Sequence, residues 1–116
     1  MSIETLYIPP KNSDTFIKQG DTIGKIEFVW DDATVDWTQA EIKMQIKDKN
    51  GKIVISLSNG SGITVESSVK WVIDERSKDD PILPHGELKG DIQYTYEGKT
   101  KTIYDVEYNI LKQTTV

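Results

Sequence analysis

Cysteine is absent from this chain, and with it go disulfides, thiolate nucleophiles and every zinc site that needs sulfur. Histidine is nearly absent. His85 is the one imidazole, so a single chain can assemble neither a His-rich metal centre nor an HExxH-type zinc site. Basic charge is in deficit: 14 lysine and arginine residues against 19 acidic ones leave a net charge of −5 and a pI near 4.8. Such a surface is unsuited to neutralising nucleic-acid phosphates or to lying on an anionic membrane, and neither partner is expected. Long apolar runs are missing as well. No stretch of about 18 apolar residues is present to span a bilayer, and Met1-Ser2-Ile3-Glu4-Thr5 lacks the basic and apolar regions of a secretory signal. The expectation is synthesis in a cytoplasm without export. The sequon Asn59-Gly60-Ser61 then reads as a turn, not as a glycan acceptor.

What is present fits a small globular domain. The chain has 116 residues, 36% hydrophobic and 28% charged, a length and balance typical of one domain with one core. Roughly two-thirds of the unfolded surface can be buried at this size, enough for stability without staples. The expected organisation is an extended arm over residues 1–13, punctuated by Pro9-Pro10, followed by a single domain over residues 14–116. The arm is expected to pack loosely or to reach a neighbouring molecule.

The local patterning is that of strands. From Ala40 to Asp48, Ala40, Ile42, Met44 and Ile46 alternate with Glu41, Lys43, Gln45 and Lys47, the period of a half-buried strand. Asp48-Lys49-Asn50-Gly51 follows, and Asn-Gly favours a tight hairpin because both residues tolerate positive φ. The return strand, Lys52 to Ser58, is expected to turn Ile53, Ile55 and Leu57 inward. Thr22 to Trp30 offers Ile26, Phe28 and Trp30 on one face, with a bulge near Ile23-Gly24. Ile63 to Glu66, Val69 to Ile73, Leu88 to Tyr96 and Thr100 to Thr115 complete the set, the last two divided by a Glu97-Gly98 turn. No window longer than a turn has a helical period. Short strands with regular turn signals predict an all-β, immunoglobulin-like sandwich of seven or eight mainly antiparallel strands.

Catalysis finds little to work with. His85 lies in Pro84-His85-Gly86, a loop, and no GxSxG turn presents a serine. The acidic clusters Asp31-Asp32 with Asp36, and Asp79-Asp80, fall in inter-strand loops, where aspartate bonds nearby backbone amides. Asp48-Lys49-Asn50-Gly51 lacks the later glutamate of a calcium loop, and Ser58-Asn59-Gly60-Ser61-Gly62 lacks the lysine of a phosphate cradle. No enzyme activity, metal or cofactor is expected. Aromatic residues are the richer signal. Trp30 and Trp71 are in phase with core positions, whereas Trp37 lies in the loop Asp31-Asp32-Ala33-Thr34-Val35-Asp36-Trp37, outside any strand pattern. It is expected either to cap the end of the core or to meet a neighbouring subunit. The candidate interface residues are therefore Trp37, Asp36 and, in the arm, Tyr7, Ile8, Pro9 and Pro10.

The order of motifs is similar to the N-terminal β-sandwich module of phage baseplate upper proteins and related tail and head-fibre proteins. The residues that carry it are Gly20-Asp21-Thr22, Phe28-Val29-Trp30, Asp36-Trp37-Thr38-Gln39-Ala40, Lys43-Met44-Gln45-Ile46-Lys47, Gly62-Ile63-Thr64, Leu83-Pro84-His85-Gly86, Asp91-Ile92-Gln93-Tyr94-Thr95 and the closing strand from Thr102 to Thr115. The resemblance spans roughly residues 15–116 and departs from the pattern at Gln39, Gly90 and Tyr104-Asp105. It implies a non-catalytic structural or adaptor protein of a phage particle, located in the virion and made in the bacterial host cytoplasm. Its partners would be other virion proteins or further copies of itself. The alternative is a carbohydrate-binding module for host-surface attachment, with Trp37 and an exposed tyrosine as the stacking platform.

Overall fold

The computed structural model describes residues 4–11, 14–31, 34–77 and 80–112. Among these residues it holds nine strands and one single-turn 3-10 helix, so the all-β sandwich class expected from the alternating patterns is the one observed. The strands are β1 (Thr5–Ile8), β2 (Ile17–Lys18), β3 (Ile26–Val29), β4 (Glu41–Lys47), β5 (Ile53–Asn59), β6 (Gly62–Ser67), β7 (Lys70–Ile73), β8 (Gly86–Tyr96) and β9 (Lys99–Leu111). Hydrogen bonds connect them in the order β1-β9-β8-β4-β5-β6-β7-β3, with β2 also on β9.

The path is continuous but bends sharply at one place. β5 meets β6 only through Ser58↔Gly62 and Asn59↔Ile63, and beyond this corner β6, β7 and β3 fold back over the larger layer formed by β9, β8, β4 and β5. Two devices build the corner. Ser58 and Ser61 exchange backbone hydrogen bonds of 3.0 and 2.8 Å, and Gly60 and Gly62 adopt positive φ, as glycine readily does. The Asn59 side chain then completes the end of β4. Its Oδ1 accepts from the Ile42 N–H at 2.7 Å and its Nδ2 donates to the Ala40 carbonyl at 2.8 Å. The expected turn at Asn59-Gly60-Ser61 is thus present, and its asparagine serves as a strand partner.

β4 follows its pattern without a fault: Ile42, Met44 and Ile46 are fully buried and their neighbours exposed. The β4–β5 hairpin is held by Asp48, whose Oδ1 accepts from the N–H groups of Asn50 and Lys52 at 2.8 and 3.0 Å, with Gly51 at positive φ. Ile53 departs from expectation. It is exposed rather than inward, because the register slips between Ile46 and Lys47 and pairs Ile53 with Lys47 at the end of the ladder. Leu57, Trp30 and Tyr94 are half-buried against the core, not enclosed by it. Glu97 and Gly98, both at positive φ, form the expected turn into β9.

The strand count exceeds seven or eight because the chain start contributes two short pieces. β1 runs parallel to β9 with Thr5↔Asp105 through Ile8↔Tyr108, and β2 continues along the same edge with Ile17↔Ile110 and Lys18↔Leu111. The described part of the N-terminal arm is therefore extended and paired within its own chain, and Ile8 and Ile17 lie in the core. Residues 12–13, part of the loop at 31–37, Asp79, and the chain end expected to continue the last strand fall outside the described residues.

Candidate functional site

Trp37 stands at the head of the 3-10 turn Trp37–Gln39, with Asp36 as its N-cap. The Asp36 carboxylate accepts from the Thr38 N–H at 3.0 Å and from the Thr38 hydroxyl, while the Trp37 N–H reaches back to the Ser68 carbonyl at 3.1 Å. These bonds turn the indole inward, where only 3% of the residue remains exposed. Its ring meets Trp30 at 5.0 Å, Tyr94 edge-on at 5.0 Å and Trp71 at 5.8 Å. Trp71 in turn stacks on Phe28 at 4.2 Å. Of the two fates open to Trp37, the structure places it in the cap of the core. Asp36 holds the turn.

The arm residues are distributed differently. Ile8 is buried, Tyr7 and Pro9 are half-buried, and Pro10 is exposed. Lys11 lies 4.2 Å over the Tyr7 ring, a cation–π contact that shields the ring's outer face. The structure does not bring these residues together with Trp37: the arm follows β9, and Trp37 packs under Trp30 and Tyr94.

The exposed apolar residues on the elements around β2 were not singled out by the sequence. Phe16 is 71% exposed and Ile82 70% exposed, with Leu111 also largely open. All three belong to elements that meet at β2. Phe16 precedes it, Leu111 is the register partner of Lys18, and Ile82 adjoins Leu83, whose carbonyl accepts from Gln19 Nε2 at 3.0 Å. The turn beyond β2 is fixed by Asp21, which accepts from the Lys18 N–H at 2.9 Å and donates its own N–H to the Lys18 carbonyl at 3.0 Å. A signal for these residues exists in the sequence. Phe16-Ile17 and Ile82-Leu83 are adjacent apolar pairs in extended chain, where successive side chains face opposite ways, so each pair that buries one member presents the other.

The opposite edge of the sheet is guarded by charge. On β3, Glu27 lies 3.3 Å from the Lys25 ammonium and 3.6 Å from that of Lys70, which also pairs with Glu66 at 3.2 Å. The hydrogen bond from Lys25, followed by the charge of Lys70, holds the Glu27 carboxyl below its ordinary range. Charged edges of this kind resist strand pairing. Elsewhere, His85 is exposed, and no group of three or more His, Cys, Asp and Glu residues among those described could hold a metal ion. No helix among the described residues is long and apolar enough to cross a membrane.

No family model matches the chain, and no curated protein matches it. Among solved structures it is similar to CopC from Methylosinus trichosporium OB3b, at 12% identity and a TM-score of 0.49, over 100% of this chain and 90% of that one. A likeness this distant assigns no function. Neither the family models nor the curated proteins supply a baseplate or fibre match, and the expectation of a virion structural protein is withdrawn. The carbohydrate-binding alternative falls with it on a physical ground: Trp37 and Trp71 are enclosed, so the expected stacking platform is not on the surface.

Proposed function

We propose that this is a non-catalytic domain that works by protein–protein contact through the apolar end around β2, and that the partner is a second copy of the chain. The observation that carries the reading is the joint exposure of Phe16 and Ile82 on elements that meet at β2. A single exposed apolar side chain is ordinary; several grouped within a polar surface are the mark of an interface. The backbone adds a second reason. β1 and β2 lie end to end along one side of β9, and among the described residues their outer edge carries no charge network like that on β3. Edge pairing across a two-fold axis would set the same strands and the same apolar residues against their own copies.

Sedimentation of the full chain across a concentration series, with Phe16→Ser and Ile82→Ser alongside, tests this. Reversible dimerisation weakened at least tenfold by either substitution, with melting unchanged, is the expected result. A monomer at all concentrations, or a dimer indifferent to both substitutions, rejects it.

A further inference from the structure

The two layers part at one end, between β3–β7 above and β5–β9 below, and leave a cavity of about 230 Å³. Its walls are Ile26, Ile55, Leu57 and Ile73, and Tyr108 and Arg76 border it. A site of this kind, an apolar slot with a few convergent polar groups, is how folded domains hold small molecules. The volume is enough for a single ring, since a dry cavity of about 150 Å³ accepts benzene.

Both polar groups have donor capacity to spare. Tyr108 is only 3% exposed, and its hydroxyl has no hydrogen-bond partner among the described residues. Burial pushes this phenol up to about 12, against the pull of the Arg76 charge, and both residues line the cavity. Arg76 is the one arginine of the chain. Its backbone is pinned by paired hydrogen bonds of 2.8 Å with Ile23, and one guanidinium nitrogen donates to the Pro81 carbonyl. Four of the five guanidinium N–H groups are left over. The neighbouring carboxylates do not take them. Asp74 accepts from the Thr64 hydroxyl at 2.8 Å, Asp80 accepts from the Ser77 N–H at 2.7 Å, and Arg76 forms no ion pair among the described residues.

We propose that the cavity binds a small apolar carboxylic acid, its ring or short chain between the layers and its carboxylate accepting from the Tyr108 hydroxyl and the Arg76 guanidinium. The apolar walls supply affinity, and the two donors select the head. A carboxylate matches the planar guanidinium fork, whereas an ammonium would face it with like charge. Asp74, Glu75 and Asp80 also line the cavity, and because all three are exposed their repulsion of the carboxylate is screened.

The test is a titration of the full chain with benzoate, benzamide and benzylamine, followed by amide chemical shifts. Benzoate is expected to bind best and to move the signals of Ile55, Leu57, Ile73 and Tyr108, with benzylamine at least tenfold weaker. Arg76→Gln and Tyr108→Phe should each weaken benzoate about tenfold and leave the spectrum otherwise folded, and Leu57→Trp should fill the slot and abolish binding. Equal binding of all three probes, or benzoate binding indifferent to Arg76→Gln and Tyr108→Phe, overturns the head-group assignment. No shift at the cavity residues with any probe overturns the site.

Discussion

The rings of Phe28 and Tyr104 lie 5.7 Å apart, although β3 and β9 are six steps from each other along the hydrogen-bonded path. The contact closes the sandwich: it is where the end of the folded-back layer touches the layer it covers. Phe28 also stacks on Trp71 at 4.2 Å. Phe28→Ala is expected to cost about 3–5 kcal/mol of unfolding free energy, the range for a buried aromatic. Its neighbour Val29, 65% exposed, should tolerate alanine within about 0.5 kcal/mol. Urea unfolding of the two variants, read by tryptophan fluorescence, checks the difference.

Trp37 is enclosed in the cap of the core. Trp37→Ala removes the ring that joins Trp30, Tyr94 and Trp71 and should lower stability by about 3–5 kcal/mol. The folded fraction should keep the assembly state of the parent chain. Thermal melting combined with sizing separates the two effects, and altered assembly at full stability would refute the cap.

Asn59 fills a place that a backbone strand would otherwise take. Asn59→Asp keeps an acceptor for the Ile42 N–H but sets a carboxylate against the Ala40 carbonyl in place of a donor. A loss of about 1–3 kcal/mol is expected, the cost of an unmet hydrogen-bonding group. Hydrogen exchange at Ile42 should accelerate more than at Met44, and equal protection at both would contradict the role.

Gly90 lies inside β8 where β4 passes close by. A Cβ at this position would overlap the Gln45 carbonyl and the Ile46 backbone, and neither can move without breaking the β4–β8 ladder. Gly90→Ala is expected to destabilise by more than about 3 kcal/mol, well above the usual single substitution. Gly98→Ala meets open space and only the strain of its positive φ, so it should cost about 1 kcal/mol. Parallel denaturant curves rank the two.

Tyr108 links stability to alkaline pH. Burial raises its phenol from 10.0 to about 12, so the folded state keeps a proton that the unfolded chain has lost. Its contribution is intact below about pH 10 and is lost as pH rises toward 12, a decline on the order of 2–3 kcal/mol. Tyr108→Phe has no proton to lose and should show a flatter profile over the same window. Identical slopes for the two proteins would contradict the burial of the hydroxyl.

Much of the architecture was legible from local pattern. The alternation from Ala40 to Asp48 and the Asn50-Gly51 turn specify the β4–β5 hairpin on their own, because pleat and turn geometry depend only on neighbouring residues. The absence of cysteine likewise removed disulfide and thiolate chemistry before any strand was placed. Long-range pairing decided the rest. β1 joins Thr5 to Asp105 and β2 joins Ile17 to Ile110, across almost the full chain. The inward turn of Trp37 depends on the Ser68 carbonyl and the face of Tyr94, which no window around Trp37 contains. Phe16 and Ile82 face solvent because Ile17 and Leu83 beside them are buried, and which member of each pair turns inward is set by the layer it meets. Tyr108 and Arg76 come to one cavity because β9 and the segment after β7 end on the same side of the sandwich. A strand's period assigns its two faces; only the packing of the layers decides which face is covered and what the uncovered one presents.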